Sequence, residues 1–179
     1  MRRNEDASSL VTLGLGSNMG DSRLIINNAI AVLDLGIAEL RTAFLYQTMP
    51  LHVRDQAWFI NTAVAGFYSG TPRDLLKYIN GIETRFGRNR AIEKRWGERT
   101  LDIDILLFEN CIVNDEDLVI PHKMLKERRF ALEPLLDLFP DARDPVSGFS
   151  YWDICQTLPD QGVSLLLYEK SYEHDVLPV

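Results

Sequence analysis

Apolar residues recur along this chain with two periods, and the changes between them divide it into elements. VTLGLGS, Val11 to Ser17, has the composition of a strand running into a turn, after a polar leader of residues 1–10. Asp21 is placed to cap a helix through about Leu35, with Leu24, Ile25, Ala29, Ile30 and Leu33 on one face and Gly36 as the stop. A weakly periodic stretch from about Ile37 to Gln47 predicts a second strand. TMPLHVRDQA reads as loop, because Pro50 has no N–H to give a central sheet. In WFINTAVAGFYS the period is two, so Phe59, Asn61, Ala63, Ala65 and Phe67 share one side, which puts a polar amide among hydrophobics.

A second long helix has the sharpest local signals. Thr71 stands at the N-cap, Pro72 opens the first turn with Asp74, and Leu75, Ile79, Ile82 and Phe86 form a stripe closed by Gly87. An arginine-rich loop follows, then a strand from Thr100 to Phe108 that turns at Glu109-Asn110 into a short run, CIV. After VIPH, the segment RRFALEPLLDLF predicts a helix, and Ser150 to Leu158 another; an apolar run, VSLLLY, precedes a polar tail over 171–179. The order strand, helix, strand, strand, helix, strand implies an α+β fold of ferredoxin-like type. Its antiparallel sheet is flanked by helices, with C-terminal additions, in a single domain over 11–170.

Composition narrows the function classes. With 179 residues, 46% of them apolar, the chain buries a real core without crosslinks. Cys111 and Cys155 lie far apart with no metal or redox spacing, so both are expected as reduced thiols. There is no apolar leader and no run of membrane-spanning length, so a cytoplasmic protein is expected. The net charge of −7 argues against nucleic acid as the main partner, but it hides an inversion. From Thr84 to Arg99 six cations face two acids, so this window carries +4 and the remainder −11. Concentrated positive charge suits a small anionic ligand.

Candidate chemistry sits beside that window. Alternation along Thr100 to Phe108 puts Leu101, Ile103, Ile105 and Leu107 on one face and Asp102, Asp104, Leu106 and Phe108 on the other. The two aspartate Cα atoms are then about 6.6 Å apart with parallel side chains. Such like charges repel unless a cation sits between them, and Mg²⁺ takes one or two carboxylates together with phosphate oxygens and water. The bland alternative is a solvated face of salt-bridging aspartates; Leu106 and Phe108 on the same side weigh against it. Arg88, Arg90, Arg95 and Arg99 carry forks that match phosphate, and Trp96 among them offers a stacking surface. A basic loop feeding a carboxylate pair is what transfer from Mg·ATP requires. GLGSNM lacks the third glycine of GxGxxG and no Walker sequence exists, so GLGSNMGD reads as a tight strand-to-helix turn and side chains must hold any phosphates. His122, after Pro121, is a lone histidine with either a structural or a ligand role.

GLGSNMGD, QAWFIN, GRNRAIEKRWGERTLDIDILLF and IPHKMLKERRFALEPL, in this order, resemble the 6-hydroxymethyl-7,8-dihydropterin pyrophosphokinases of folate biosynthesis from about Val11 to Leu158. The resemblance implies transfer of the β,γ-diphosphate of ATP to a pterin hydroxymethyl group, with release of AMP, on a ferredoxin-like fold with two Mg²⁺ ions. It implies that Asp102 and Asp104 hold the metals, with Asp102 also near the substrate, and that Arg88 and Arg99 steady the phosphates. Thr48, Leu51, Phe59, Asn61, Trp96 and Phe130 match the pterin slot, Thr48 and Leu51 through main-chain contacts. Glu83, Arg90, Arg95, Trp96, Arg99, His122 and Arg128 match the nucleotide side.

TMPLH departs from the family's usual TPP or TxP loop at Met49 and His52, the loop from Arg88 to Arg95 is one residue longer than in some members, and Asp117 replaces a basic contact of some relatives. A monofunctional, monomeric enzyme acting on small molecules is expected, since the chain is too short for a fused synthase barrel. No strong general base is evident, so positioning and electrostatics should dominate the rate. Two rivals stay open: an RNA-binding ferredoxin-like module, and a kinase moving only the γ-phosphoryl group.

Overall fold

The computed structural model describes residues 8–50, 56–88 and 97–166. Leu51, His52, Arg90, Arg95 and Trp96, most of the leader and the whole polar tail lie outside the described residues. The elements run β1 (Ser9–Ser17), α1 (Ser22–Leu33), β2 (Ala38–Thr42), β3 (Tyr46–Thr48), β4 (Phe59–Tyr68), α2 (Pro72–Arg85) and β5 (Asp102–Phe108). After these come β6 (Val113–Asn114), β7 (Val119–Ile120), a 3-10 turn (Leu125–Glu127), α3 (Arg129–Leu138), α4 (Tyr151–Thr157) and β8 (Val163–Leu165).

The main sheet has six strands in the order β5-β1-β4-β3-β8, with β2 also paired to β4. Every pairing in it is antiparallel. With β2 and β3 taken together as one broken strand, β5-β1-β4-β2/β3 is the ferredoxin-like arrangement expected. Capping follows the sequence signals. Asp21 accepts from the Leu24 N–H at 3.0 Å, and Thr71 and Asp74 form a reciprocal box at the start of α2, whose buried stripe is Leu75, Ile79 and Ile82.

Two cores lie on the two faces of the sheet. Val11, Leu13, Leu15, Val64, Ile103 and Ile105 pack against α1 and α2. On the other face Leu106 packs with Leu132, Leu135, Tyr151 and Cys155 from α3 and α4. Each fully buried leucine or isoleucine contributes on the order of 1.5–3 kcal/mol. The second core covers only part of its face, and the uncovered part is the site.

Three departures from the sequence expectation share one cause, namely pairing with distant chain. The stretch over 37–47 is two strands rather than one, because the register against β4 slips by one residue between Thr42, opposite Val64, and Tyr46, opposite Asn61, where Asp137 accepts from the Phe44 N–H and the Thr62 hydroxyl donates to the Phe44 carbonyl. The apolar run near the C-terminus supplies a sixth strand, β8, on the free edge of β3. Strand β5 does not alternate to its end: the register against β1 shifts between Thr12 and Leu13. Beyond that bulge the faces exchange, so Phe108 joins the α1/α2 core and Leu107 leans on the α3/α4 core.

Candidate active site

Three strands set the floor of the cleft, and their register decides what sits beside what. Asn61 of β4 pairs with Gly16 of β1, and Gly16 pairs with Asp102 of β5. The next row is Ala63, Gly14 and Asp104. Asn61 and the two aspartates therefore share a face, separated by glycines that leave the floor low between them. Gly14 and Gly16 lie inside β1 rather than in the expected turn, and the turn glycine is Gly20 at φ +66°. The cavity over this floor, roughly 250 Å³, is walled by Thr48, Met49, Pro50, Gln56 and Phe59 on one side and by Arg99, His122, Arg128 and Phe130 on the other.

On the β4 side, Asn61 is 6% exposed and its amide donates to Thr48 Oγ1 at 2.8 Å. That bond fixes the amide's orientation, so its carbonyl oxygen lies over Gly16. Thr48 thus acts through its hydroxyl as well as standing where main-chain contact was expected. Phe59 and Phe130 supply aromatic surface to the same cavity, and the Arg128 guanidinium lies 5.6 Å from the centre of the Phe130 ring.

The β5 side is a charge network. Asp102 accepts from Arg88 Nη1 through Oδ1 at 2.5 Å and from Arg99 Nη1 through Oδ2. Arg88 also pairs with Glu83, whose Oε1 accepts from the Ile103 N–H at 2.8 Å. Glu83 is 1% exposed and does not line the cavity. It braces Arg88 and β5 from behind.

Asp104 has no hydrogen-bond donor among the described residues. His122 Nε2 and Arg128 Nη1 approach its Oδ2 only to 3.7 and 3.6 Å. Desolvation by the surrounding cleft, then the charge of Asp102, pushes the Asp104 carboxyl above the ordinary carboxylate range, against the pull of Arg128. Burial and the Arg128 charge hold His122 down at about 4. The Met124 N–H points at His122 Nδ1 at 3.3 Å, so the neutral ring carries its proton on Nε2, toward Asp104.

Two adjacent carboxylates, one lacking a donor and raised by the other, form a hard oxygen donor set that fits Mg²⁺. Among the described residues no group of three or more acidic, histidine or cysteine side chains is placed to hold a metal. The remaining ligands would have to be phosphate oxygens and water, as the ion's coordination habits favour.

Of the residues predicted from sequence, the fold brings Thr48, Phe59, Asn61, Arg99, Asp102, Asp104, His122, Arg128 and Phe130 into one cavity. Arg88 and Glu83 stand immediately behind Asp102. Asp117, expected to spoil a basic contact, is paired with Arg73 at 3.1 Å on the surface. Gln56 and Asn18 also stand at or beside the cleft without a local signal in the sequence, because they are joined across 38 residues and Asn18 reaches Arg99 across 81.

Residues 12–140 match the family model described as 7,8-dihydro-6-hydroxymethylpterin-pyrophosphokinase. The chain is similar to the 2-amino-4-hydroxy-6-hydroxymethyldihydropteridine pyrophosphokinase of Methylorubrum extorquens, at 44% identity over 131 residues, 72% of this chain and 82% of that protein. It is similar to the protein of the same name in Bacillus subtilis, at 38% identity, covering 73% and 78%. Similarity to the folic acid synthesis protein fol1 of Pneumocystis carinii is 36% over 94% of this chain, but the chain spans only 21% of that protein. The fold matches Plasmodium falciparum HPPK-DHPS with a TM-score of 0.69 at 15% identity, over 86% of this chain and 45% of the other, a likeness of fold alone.

Proposed function

The chain belongs to the 7,8-dihydro-6-hydroxymethylpterin-pyrophosphokinase family, and on that premise we propose that its cleft moves the β,γ-diphosphate of ATP to the hydroxymethyl oxygen of 6-hydroxymethyl-7,8-dihydropterin, releasing AMP. The observation that carries this reading is the row Asn61, Gly16, Asp102 across β4, β1 and β5. A flat heterocycle held at Asn61 has its substituent directed over the glycine toward the carboxylates and arginines.

Each wall has its own task. The Asn61 carbonyl, pinned by Thr48, accepts from ring N–H or amino groups of the pterin, while Phe59 and Phe130 cover its faces. Asp102 and Asp104 would hold two Mg²⁺ ions, which would supply positive charge to the triphosphate oxygens. Arg99, fixed by its pair with Asp102, presents a cation where charge grows on the transferred and leaving phosphates. Arg128 adds a second cation, and the His122 Nε2–H is available to a phosphate oxygen. With the acceptor and donor oxygens held in line, orientation and fixed electrostatics supply most of the acceleration. Arg90, Arg95 and Trp96 belong to this reading as nucleotide contacts, and Leu51 as a pterin contact, on family resemblance alone.

The reaction is tested by incubating the protein with ATP, Mg²⁺ and the hydroxymethyl-dihydropterin and separating the nucleotides. AMP formed only when the pterin is present supports the proposal. ADP in its place assigns the cleft to γ-phosphoryl transfer and rejects it.

A further inference from the structure

Asn18, the residue after β1, lies outside the cleft lining but ties together the two walls that form it. The residue is 4% exposed, and its side chain is used in both directions. Oδ1 accepts from the Arg99 N–H at 2.7 Å, and the Asn18 N–H donates to the Arg99 carbonyl at 3.1 Å. Arg99 is thereby gripped on both backbone groups, three residues before Asp102, to which its guanidinium is bonded. The other half of the amide faces the opposite wall: Nδ2 donates to the Ala57 carbonyl at 3.2 Å and lies 3.4 Å from Gln56 Oε1. Gln56 lines the cavity, and Ala57 is two residues before Phe59, where β4 begins.

We infer that Asn18 is a positioning residue that sets the spacing between the pterin wall and the phosphate wall through one planar amide. The requirement is chemical: one short side chain must offer an acceptor to Arg99 and a donor to Ala57 from the same plane. Aspartate keeps the first and turns the second into a clash of oxygens. Alanine has neither. Each arm is an ordinary, part-buried hydrogen bond, whose loss is worth on the order of tenfold in the step it supports.

The inference rests on the reaction proposed above, and its test separates the two arms. Steady-state kinetics are measured for the wild type, Asn18→Asp and Asn18→Ala with both substrates, alongside thermal melts. Asn18→Asp, which retains the Arg99 bond, is expected to raise the pterin KM about tenfold while kcat stays within about threefold of wild type. Asn18→Ala is expected to raise the pterin KM and also to lower kcat by about tenfold.

Equal changes in the two variants, or none in either, overturn the inference. Failure of Asn18→Asp to fold does so too, since it would make Asn18 a residue of the fold alone. A wild type that forms no AMP rejects the reaction and this inference together, whereas an active wild type with unsplit variants rejects only the role of Asn18.

Discussion

A Cβ added to Gly16 would lie 2.8 Å from Oδ1 of Asn61, so the missing side chain is what leaves room for the amide carbonyl above β1. Gly16→Ala is therefore expected to displace Asn61 from its bond to Thr48 while leaving the sheet intact. The pterin KM should rise about tenfold, the worth of one misaligned buried hydrogen bond, with little change in the KM for ATP. Steady-state kinetics with each substrate varied in turn check this, and equal effects on both substrates would count against it.

Arg99 is 25% exposed in its side chain and bonds to Asp102 while facing the cavity. Arg99→Ala removes a cation whose benefit is greatest when phosphate charge develops. The expected result is a fall in kcat of about two orders of magnitude with a much smaller change in pterin affinity. Arg99→Lys should recover only part of the loss, because an ammonium cannot reproduce the guanidinium fork.

Asp104 is expected to matter through the cation it would hold. In Asp104→Asn the fold should persist, because no described residue donates a hydrogen bond to that carboxylate and the swap removes a strained charge. Turnover should fall at least about a hundredfold, and the Mg²⁺ concentration for half-maximal rate should rise. Chelation of divalent ions should abolish turnover in the wild type. Full activity in either case would remove the metal assignment.

Far from the cleft, Asp144 is 1% exposed and accepts from Lys126 Nζ at 2.8 Å and Ser147 Oγ at 2.6 Å. Burial alone would raise its carboxyl, but these hydrogen bonds outweigh it and hold the group below the ordinary carboxylate range. A depressed folded value means that the stabilisation is complete above the unfolded value, about 3.9, and is lost as pH falls through the folded one. Asp144→Asn should therefore lower Tm at pH 7, and the gap to wild type should narrow as melts are taken from about pH 4 downward. A gap that stays constant to pH 2 would contradict this.

The clearest elements in the sequence are those whose causes are local. Thr71, Pro72, Asp74 and the stripe of Leu75, Ile79 and Ile82 lie within a few residues, and α2 forms as they indicate. The carboxylate pair was legible for the same reason, since a period of two puts Asp102 and Asp104 together whatever surrounds them. What stayed hidden depends on distant partners. The exchange of faces at Leu107 and Phe108 arises from the bulge opposite β1, and the break between β2 and β3 arises from a one-residue slip against β4. Gly14 and Gly16 resemble turn glycines until β4 and β5 are laid beside them. Asn18 carries no local signal, because its partners stand 38 to 81 residues away.

The central claim is that a diphosphate, rather than a single phosphoryl group, passes to the pterin. Phosphorus NMR of the isolated pterin product tests it directly. Two mutually coupled resonances in equal intensity are expected, with one AMP formed for each product molecule. A single uncoupled phosphorus signal, accompanied by ADP, would contradict it.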